Sequence, residues 1–517
     1  MHLVVLILIA VVLLEDRMPF TDLAVSQAGV GAHFSGWVPL VTVLIVPLVA
    51  LGLQWLAVRS AERAMDQGDA SAARAFARAD SIMAAIPWIA LLATAIATLA
   101  LDWVPAVRRV VGDWPAVDEL LAMLPAFAAM AASWRIHEPI ERRVRDAALI
   151  RDLDAGVPIS TWRSPTRFVL GRVRTNILLL LAPLLTVVAL TELAEPLVRS
   201  AWPEFWTAGG RELVTLSVAA VVYLLSPLIA RLVLQLESLP DGELRRDLQA
   251  VCDACGVRVR DILLWRTDQG MVNGAVMGLV APLRYVMLTD GLVELLPRDE
   301  LRAVMAHEIG HVRRHHLPWM LLMLVALLGL ASFAVEWPAV TIDESIRHAS
   351  WDLEEKLEAM VWLERGAAIL AATIALLLFG WVSRRIERQA DTFAVQYLSG
   401  TTDSPAITPD AVVAMSGALG SVARFAGVSR ERISWRHGSI RWRQAYLERI
   451  VGAPANRLPI DRLVGRLKAL ALAIVLLFGI AFAMEVMNSP TATPDGESGA
   501  DARYDAPSSV GDGKPGP

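Results

Sequence analysis

Two histidines four positions apart carry the first chemical signal. His307 and His311 stand in the stretch Leu301 to His316, LRAVMAHEIGHVRRHH, with Glu308 beside the first of them. On a helix, positions i and i+4 share a face, so both imidazoles can reach one metal ion. Glu308, next to a ligand, can act as general base toward a water at that metal. Histidines on a helix are also ordinary polar residues, and a third ligand is what separates the two readings. The expected donor is a carboxylate on a later helix. Trp381 to Leu398, WVSRRIERQADTFAVQYL, supplies Glu387 and Asp391 at i, i+4. Glu387 would complete a His2Glu zinc site with one position left open. Asp391, one turn on, is placed to accept the second N–H of a ligand histidine. The neighbouring Arg384, Arg385 and Arg388 support a competing reading, a solvated salt-bridged face. Gly310 lowers helix propensity inside the histidine helix, which points to close approach of another backbone or of substrate.

H-E-I-G-H followed by S-R-R-I-E-R-Q-A-D resembles the membrane-embedded gluzincin metallopeptidases that include HtpX and the CAAX prenyl endopeptidases. The resemblance covers about residues 237–450, and no motif of that family is found before residue 170. It implies that Asn273, Gly274 and Ala275 belong to an edge strand pairing with substrate backbone, although Asn-Gly-Ala stands where the family has Asn-Ala. It also implies that His437, in the Ser434 to Arg441 segment SWRHGSIR, lies near the active site, with Gly438 where the family has a proline. His437 would then stabilise a developing oxyanion or bind substrate backbone; the alternative is an ordinary loop histidine.

These residues must be positioned by a membrane protein. Of the 517 residues, 55% are hydrophobic, and the mean hydropathy is +0.49, too apolar for an ordinary soluble chain. The net charge of −5 gives no sign of nucleic-acid binding. Apolar runs at His2 to Leu14, Val38 to Val58, Ile82 to Val104, Val117 to Ser133, Asn176 to Leu193, Leu213 to Leu236, Leu317 to Val335, Gly366 to Val382 and Leu467 to Met487 read as about nine spans. The first is short and is read as an uncleaved membrane segment. The basic stretch Arg135 to Arg174 reads as a cytoplasmic loop. With the N-terminus inside, nine spans place every basic loop on one side, and dropping the first or fourth breaks that pattern. The histidine helix and Glu387 then end on the same face, because two spans separate them.

Between the spans the sequence turns to mixed structure. Leu244 to Cys255 reads as a helix ended by Gly256, and Val257 to Trp265, Met271 to Met277 and Tyr285 to Thr289 as strands. Asp299 reads as the N-cap of the histidine helix. A small sheet beside such a helix suits a peptidase, since an extended peptide can add to its edge. Cys252 and Cys255, the only cysteines, form one C-x-x-C, read as two small reduced residues rather than a structural zinc site.

The expected fold is mainly α: a polytopic membrane protein with about nine transmembrane helices and a small α+β zincin-like catalytic domain at the cytoplasmic face. The expected organisation is a membrane region over 1–236, a catalytic domain over 237–316, a two-span hairpin over 317–382, a second catalytic segment over 383–466, a last span over 467–487 and a disordered tail over 488–517. The expected function is zinc-dependent hydrolysis of peptide bonds in membrane-associated or misfolded proteins, in the bacterial inner membrane. Its partners are peptide or protein substrate and the bilayer, not nucleic acid. An inactive zinc-binding scaffold is the rival that would bind metal without cleaving. A transporter, hinted at by Pro47, Pro87, Pro125 and Pro183, would need charged or broken mid-membrane helices.

Overall fold

The computed structural model describes residues 2–13, 37–67, 71–154, 164–206, 210–267, 270–400, 406–456 and 458–488. Residues 489–517 of the tail expected to be disordered over 488–517, and residues 155–163 of the basic stretch, lie outside the described residues. The chain forms two compact units. One holds Met1–Leu321 and Leu377–Leu467; the other holds Leu322–Leu376 and Lys468–Pro517.

The first unit begins with a helical membrane region. His2–Leu13 (α1) is followed by Trp37–Asp66 (α2), Ala72–Ala100 (α3), Trp103–Val111 (α4), Val117–Asp154 (α5), Pro165–Ala201 (α6) and Arg211–Leu234 (α7). At 1.5 Å per residue the 12-residue α1 is about 18 Å long, short of the roughly 30 Å hydrocarbon core. Eight helices among the described residues are long and apolar enough to cross a bilayer, and α1 is not among them. The first of the nine expected spans is therefore a short apolar helix over its described length. It packs on α3 and α5, burying Val5 and Leu8 completely. The prolines Pro47, Pro87, Pro125 and Pro183 sit inside α2, α3, α5 and α6, which run on through them. Two pairings of buried polar groups cross between helices here: Gln54 donates to the Ser133 carbonyl (3.1 Å), and Arg108 of α4 holds Asp118 of α5 at 2.6 Å.

A four-stranded sheet follows, built from Glu237–Ser238 (β1), Asp261–Trp265 (β2), Gly274–Met277 (β3) and Tyr285–Thr289 (β4), in the order β1-β2-β4-β3. β2 and β4 run parallel with Leu263 opposite Met287, and β3 closes one edge antiparallel with Val276 opposite Val286. All five residues of β4 are buried, as its unbroken β-branched and apolar sequence requires of a central strand. Glu243–Ala254 (α8) and Asp290–Leu295 (α9) flank the sheet. Arg298–Arg313 (α10) then packs on β3 and α8. Pro297 rather than Asp299 occupies its N-cap position; Asp299 and Glu300 lie in the first turn, where carboxylates oppose the helix dipole.

Only Arg314 and His315 separate α10 from His316–His348 (α11), and Leu353–Leu398 (α12) carries the chain back. Pro409–Phe425 (α13), Ile440–Arg449 (α14) and Pro459–Asn488 (α15) complete it. In the second unit the small residues Ala331, Ala371 and Ala375 bury one another's helices, and Phe333 meets Phe478 edge-on at 6.3 Å.

Candidate metal centre and active site

α10 is held by its buried face, Leu301, Ala303, Met305, Ala306 and Ile309, which leaves the histidine stripe facing α12. Gly310 lets the two helices approach: a Cβ there would stand 2.9 Å from the Phe393 ring of α12. The partner of this glycine is thus a side chain rather than backbone or substrate. The consequence is that His307 and His311 face Glu387, one helical turn before Asp391.

The three donors converge. His307 Nε2 and His311 Nε2 are 3.3 Å apart, and Glu387 oxygens lie 3.7 Å from the first and 3.8 Å from the second. Among the described residues this is the single group of three or more His, Cys, Asp or Glu side chains able to hold one ion. Ligands about 2.1 Å from a tetrahedral zinc are about 3.4 Å from each other. Two imidazoles and a carboxylate at these separations therefore fit a divalent ion of that size.

The groups behind the donors set their tautomers. His307 Nδ1 lies 2.9 Å from Asp391 Oδ1, which leaves its Nε2 lone pair facing the cluster. Asp391 is fully buried and gripped by Arg443, whose Nε and Nη2 reach its two oxygens at 2.7 and 2.5 Å. Arg443 Nη1 stands 3.6 Å from Glu387. His311 is oriented differently. Its Nδ1 is 2.9 Å from His316 Nδ1, His316 Nε2 is 3.0 Å from Gln389 Oε1, and Gln389 Nε2 donates to Asp461 at 2.7 Å. Since Gln389 Oε1 can only accept, His316 carries its proton on Nε2 and accepts from His311 Nδ1–H. This relay fixes the His311 Nε2 lone pair toward the cluster, as an outer-shell partner should.

Burial sets the charges. Desolvation pushes the Glu308 carboxyl up to about 7, countered in part by the imidazoles and by the Val276 N–H that donates to it. Desolvation pulls His311 down to about 4, so its ring is neutral and its lone pair available at neutral pH. For His307 burial acts downward, but the Asp391 hydrogen bond and charge outweigh it and hold the ring above its ordinary value. Burial likewise opposes the charge on Arg443, and the carboxylates of Asp391 and Glu387 overcome it. Glu387 and Asp391 against Arg443 leave an excess of negative charge, the complement of a cation.

His437 lies 3.0 Å from Glu387 Oε1 through Nδ1 and is half exposed, so it stands on the open side of the cluster. Just before β3, Asn273 is turned toward β4: its carbonyl accepts from Thr289 N (3.0 Å) and its N–H donates to Thr289 Oγ1 (2.9 Å). By the alternation of antiparallel pairing, Gly274 and Val276 aim their backbone groups at the open edge, and Ala275 pairs inward with Met287. Of the three residues singled out in sequence, Gly274 thus has outward-facing backbone, and Val276 joins it. Sequence reading also passed over Arg443, His316, Gln389 and Asp461. The histidine at 316 closes the HEIGHVRRHH run, but nothing local marks Arg443, which lies 52 positions from the aspartate it holds.

Residues 238–423 match Peptidase family M48. Over 199 residues the chain is 27% identical to a protein named "Protease HtpX homolog" of Aeropyrum pernix, covering 37% of this chain and 58% of that one. It is 28% identical over 176 residues to one of the same name from Methanothermobacter thermautotrophicus, covering 62% of that protein. It is 31% identical over 163 residues to "CAAX prenyl protease 1 homolog" of Dictyostelium discoideum, covering 37% of that protein. The chain thus spans about three fifths of the HtpX homologues it matches. A crystal structure of S. mikatae Ste24p aligns over 79% of this chain and 99% of its own, at 15% identity and a TM-score of 0.41. The sequence matches support the resemblance carried by HEIGH and SRRIERQAD: the matched region is similar to membrane proteases of the HtpX and CAAX prenyl protease type. The chain as a whole is an integral membrane protein, and the segment that matches the peptidase family includes two of its candidate spans.

Proposed function

We propose that this chain is a zinc endopeptidase that cleaves membrane-associated or misfolded polypeptides at the face of the bilayer where α10 and the end of α12 meet. The observation that carries the reading is the convergence of His307, His311 and Glu387 with Glu308 alongside and an open strand edge adjoining it. His307, His311 and Glu387 would hold the ion. Bound zinc would polarise the scissile carbonyl and acidify water to near neutrality.

The protein's own residues do the rest. An extended substrate adds to β3 through the backbone of Gly274 and the carbonyl of Val276, whose N–H is taken by Glu308, and this lays its chain along α10. Glu308 takes a proton from the attacking water and delivers it to the leaving amine. Its raised value near 7 suits both directions of transfer. His437 is placed to donate toward the carbonyl oxygen as charge develops there. Asp391, kept ionised by Arg443, and His316 hold the two ligand imidazoles in one orientation. The segments 237–316 and 383–466 supply this chemistry, and the membrane helices hold it at the bilayer face. The cell membrane of a bacterium with the site inside is the location that the basic loops favour.

Metal analysis combined with cleavage of a membrane-associated or unfolded polypeptide tests the reading. Stoichiometric zinc with chelator-sensitive cleavage is the expected result. Zinc without cleavage by an intact, folded protein would leave a metal-binding scaffold instead.

A further inference from the structure

Val428 to Ser439 joins α13 to α14 and carries His437 on a small hairpin. Ser434 and Gly438 exchange backbone hydrogen bonds of 3.2 and 3.0 Å, so Trp435, Arg436 and His437 form its tip. The hairpin is anchored on α12. The Trp435 ring lies 6.1 Å from that of Phe379 and occupies the notch at Gly380, where a Cβ would come within 2.3 Å of Trp435 Nε1. Arg384 Nη1 donates to the Trp435 carbonyl at 2.8 Å. These three α12 residues bracket the point where the apolar run Gly366 to Val382 gives way to Ser383, Arg384 and Arg385. The hairpin therefore sits at the level where the chain leaves the hydrocarbon layer. Arginine–aromatic stacking marks the same level, with Arg385 over Trp381 at 4.1 Å and Arg388 over Trp442 at 3.1 Å. Amphipathic aromatic side chains gather at such interfaces.

What the segment shows outward is unusual for a loop facing water alone. Ile433 is 78% and Trp435 45% exposed. Around them stand the exposed Arg430, Arg432, Arg436 and Arg441 against one carboxylate, Glu431, which is taken by Arg441 at 3.5 Å. Arg432 and Arg436 meet no carboxylate among the described residues. Exposed apolar side chains flanked by uncompensated cations, at the height of the headgroups, match an anionic bilayer surface in both charge and polarity.

We propose that this hairpin docks on anionic phospholipid headgroups. Arg432 and Arg436 meet the phosphates, Ile433 and the free edge of Trp435 enter the acyl boundary, and docking holds His437 against Glu387. The last clause rests on the peptidase reading; the docking itself does not. Each arginine near an anionic surface contributes about fivefold to the docked population, so losing both lowers it about thirtyfold.

The test uses the full chain with Ile433→Cys carrying an environment-sensitive fluorophore, in nanodiscs of phosphatidylcholine with or without phosphatidylglycerol. Cys252 is buried and Cys255 half-buried, so the new thiol is the reactive one. With anionic lipid the probe should shift to the blue and lose access to acrylamide, a neutral quencher. Arg432→Gln with Arg436→Gln should abolish that response at unchanged metal content, and should also remove a severalfold lipid stimulation of kcat/KM. A probe equally wet in both bilayers would overturn docking. So would a shift produced by inorganic phosphate or by substrate peptide regardless of lipid, since the hairpin would then be a phosphate or peptide surface. A lipid-dependent shift in a protein that cleaves nothing would leave docking standing and sink the peptidase reading.

Discussion

Arg443→Met removes the cation on which the buried side of the metal centre depends. In the folded chain Arg443 is 6% exposed, makes two short bonds to Asp391 and stands 3.6 Å from Glu387. Methionine fills much of the volume but leaves two buried carboxylates facing each other without compensation. Breaking a buried pair in this way costs about 3–5 kcal/mol. The loss should depend on metal. A divalent ion between His307, His311 and Glu387 would neutralise the same carboxylates, so the metal-loaded variant should lose clearly less than the metal-free one. For several hundred ordered residues, about 1 °C of Tm corresponds to 1 kcal/mol, which predicts a fall of roughly 3–5 °C in the metal-free protein. The assay is thermal unfolding in detergent of wild type, Arg443→Met, Asp391→Asn and the double variant, each with and without zinc. Asp391→Asn removes the stranded charge, so the double variant should recover part of the loss, a coupling that separate contributions would not give. Arg443→Lys should restore less than wild type, because lysine keeps the charge but not the two-pronged geometry. An equal fall with and without metal, or additive losses in the double variant, would refute the electrostatic account.

Glu308→Gln should keep zinc after dialysis and lower single-turnover cleavage about 10²–10⁴-fold, whereas Glu387→Ala should lose zinc and cleavage together. Full zinc and activity in Glu387→Ala would place the third ligand elsewhere. Burial raises Glu308 to about 7 and the base works only when ionised, so kcat/KM should rise with pH through an acid limb. The limb should lie near or below 7, because a bound cation favours the charged carboxylate, and it should vanish from the residual rate of Glu308→Gln. His316→Ala cuts the relay behind His311 and should weaken zinc about 10–100-fold in a competition titration, with His316→Gln nearer wild type. Burial lifts the Cys252 and Cys255 thiols to about 12 and about 11, so both should resist alkylation at neutral pH in the folded protein and react on unfolding.

The parts of this protein legible in one dimension are those with short-range rules. Four residues of helical spacing join His307 to His311 and Glu387 to Asp391, and twenty-residue apolar runs mark the spans. Tyr285 to Thr289 reads as a strand because β-branched and apolar residues are bounded by polar ones, and the structure agrees to the residue. Over its described residues the first expected span is a helix of only twelve residues, because hydropathy reads composition and not how far a helix runs. The register of β3 was not legible either. Which of Asn273, Gly274, Ala275 and Val276 turns its backbone outward depends on pairing with β4, and one step along the strand reverses it. Likewise no local pattern marks Arg443 beside Asp391, His316 behind His311, or Asp461 at the end of that relay. Those pairings span 52, 5 and 72 positions, counting Gln389 to Asp461 for the last. The amino-acid sequence by itself determined which side chains could be ligands, because ligation is a property of residue type and helical spacing. The tertiary structure alone decided which nitrogen each histidine offers and which charge stays buried, because those follow from partners that only packing brings within hydrogen-bond distance.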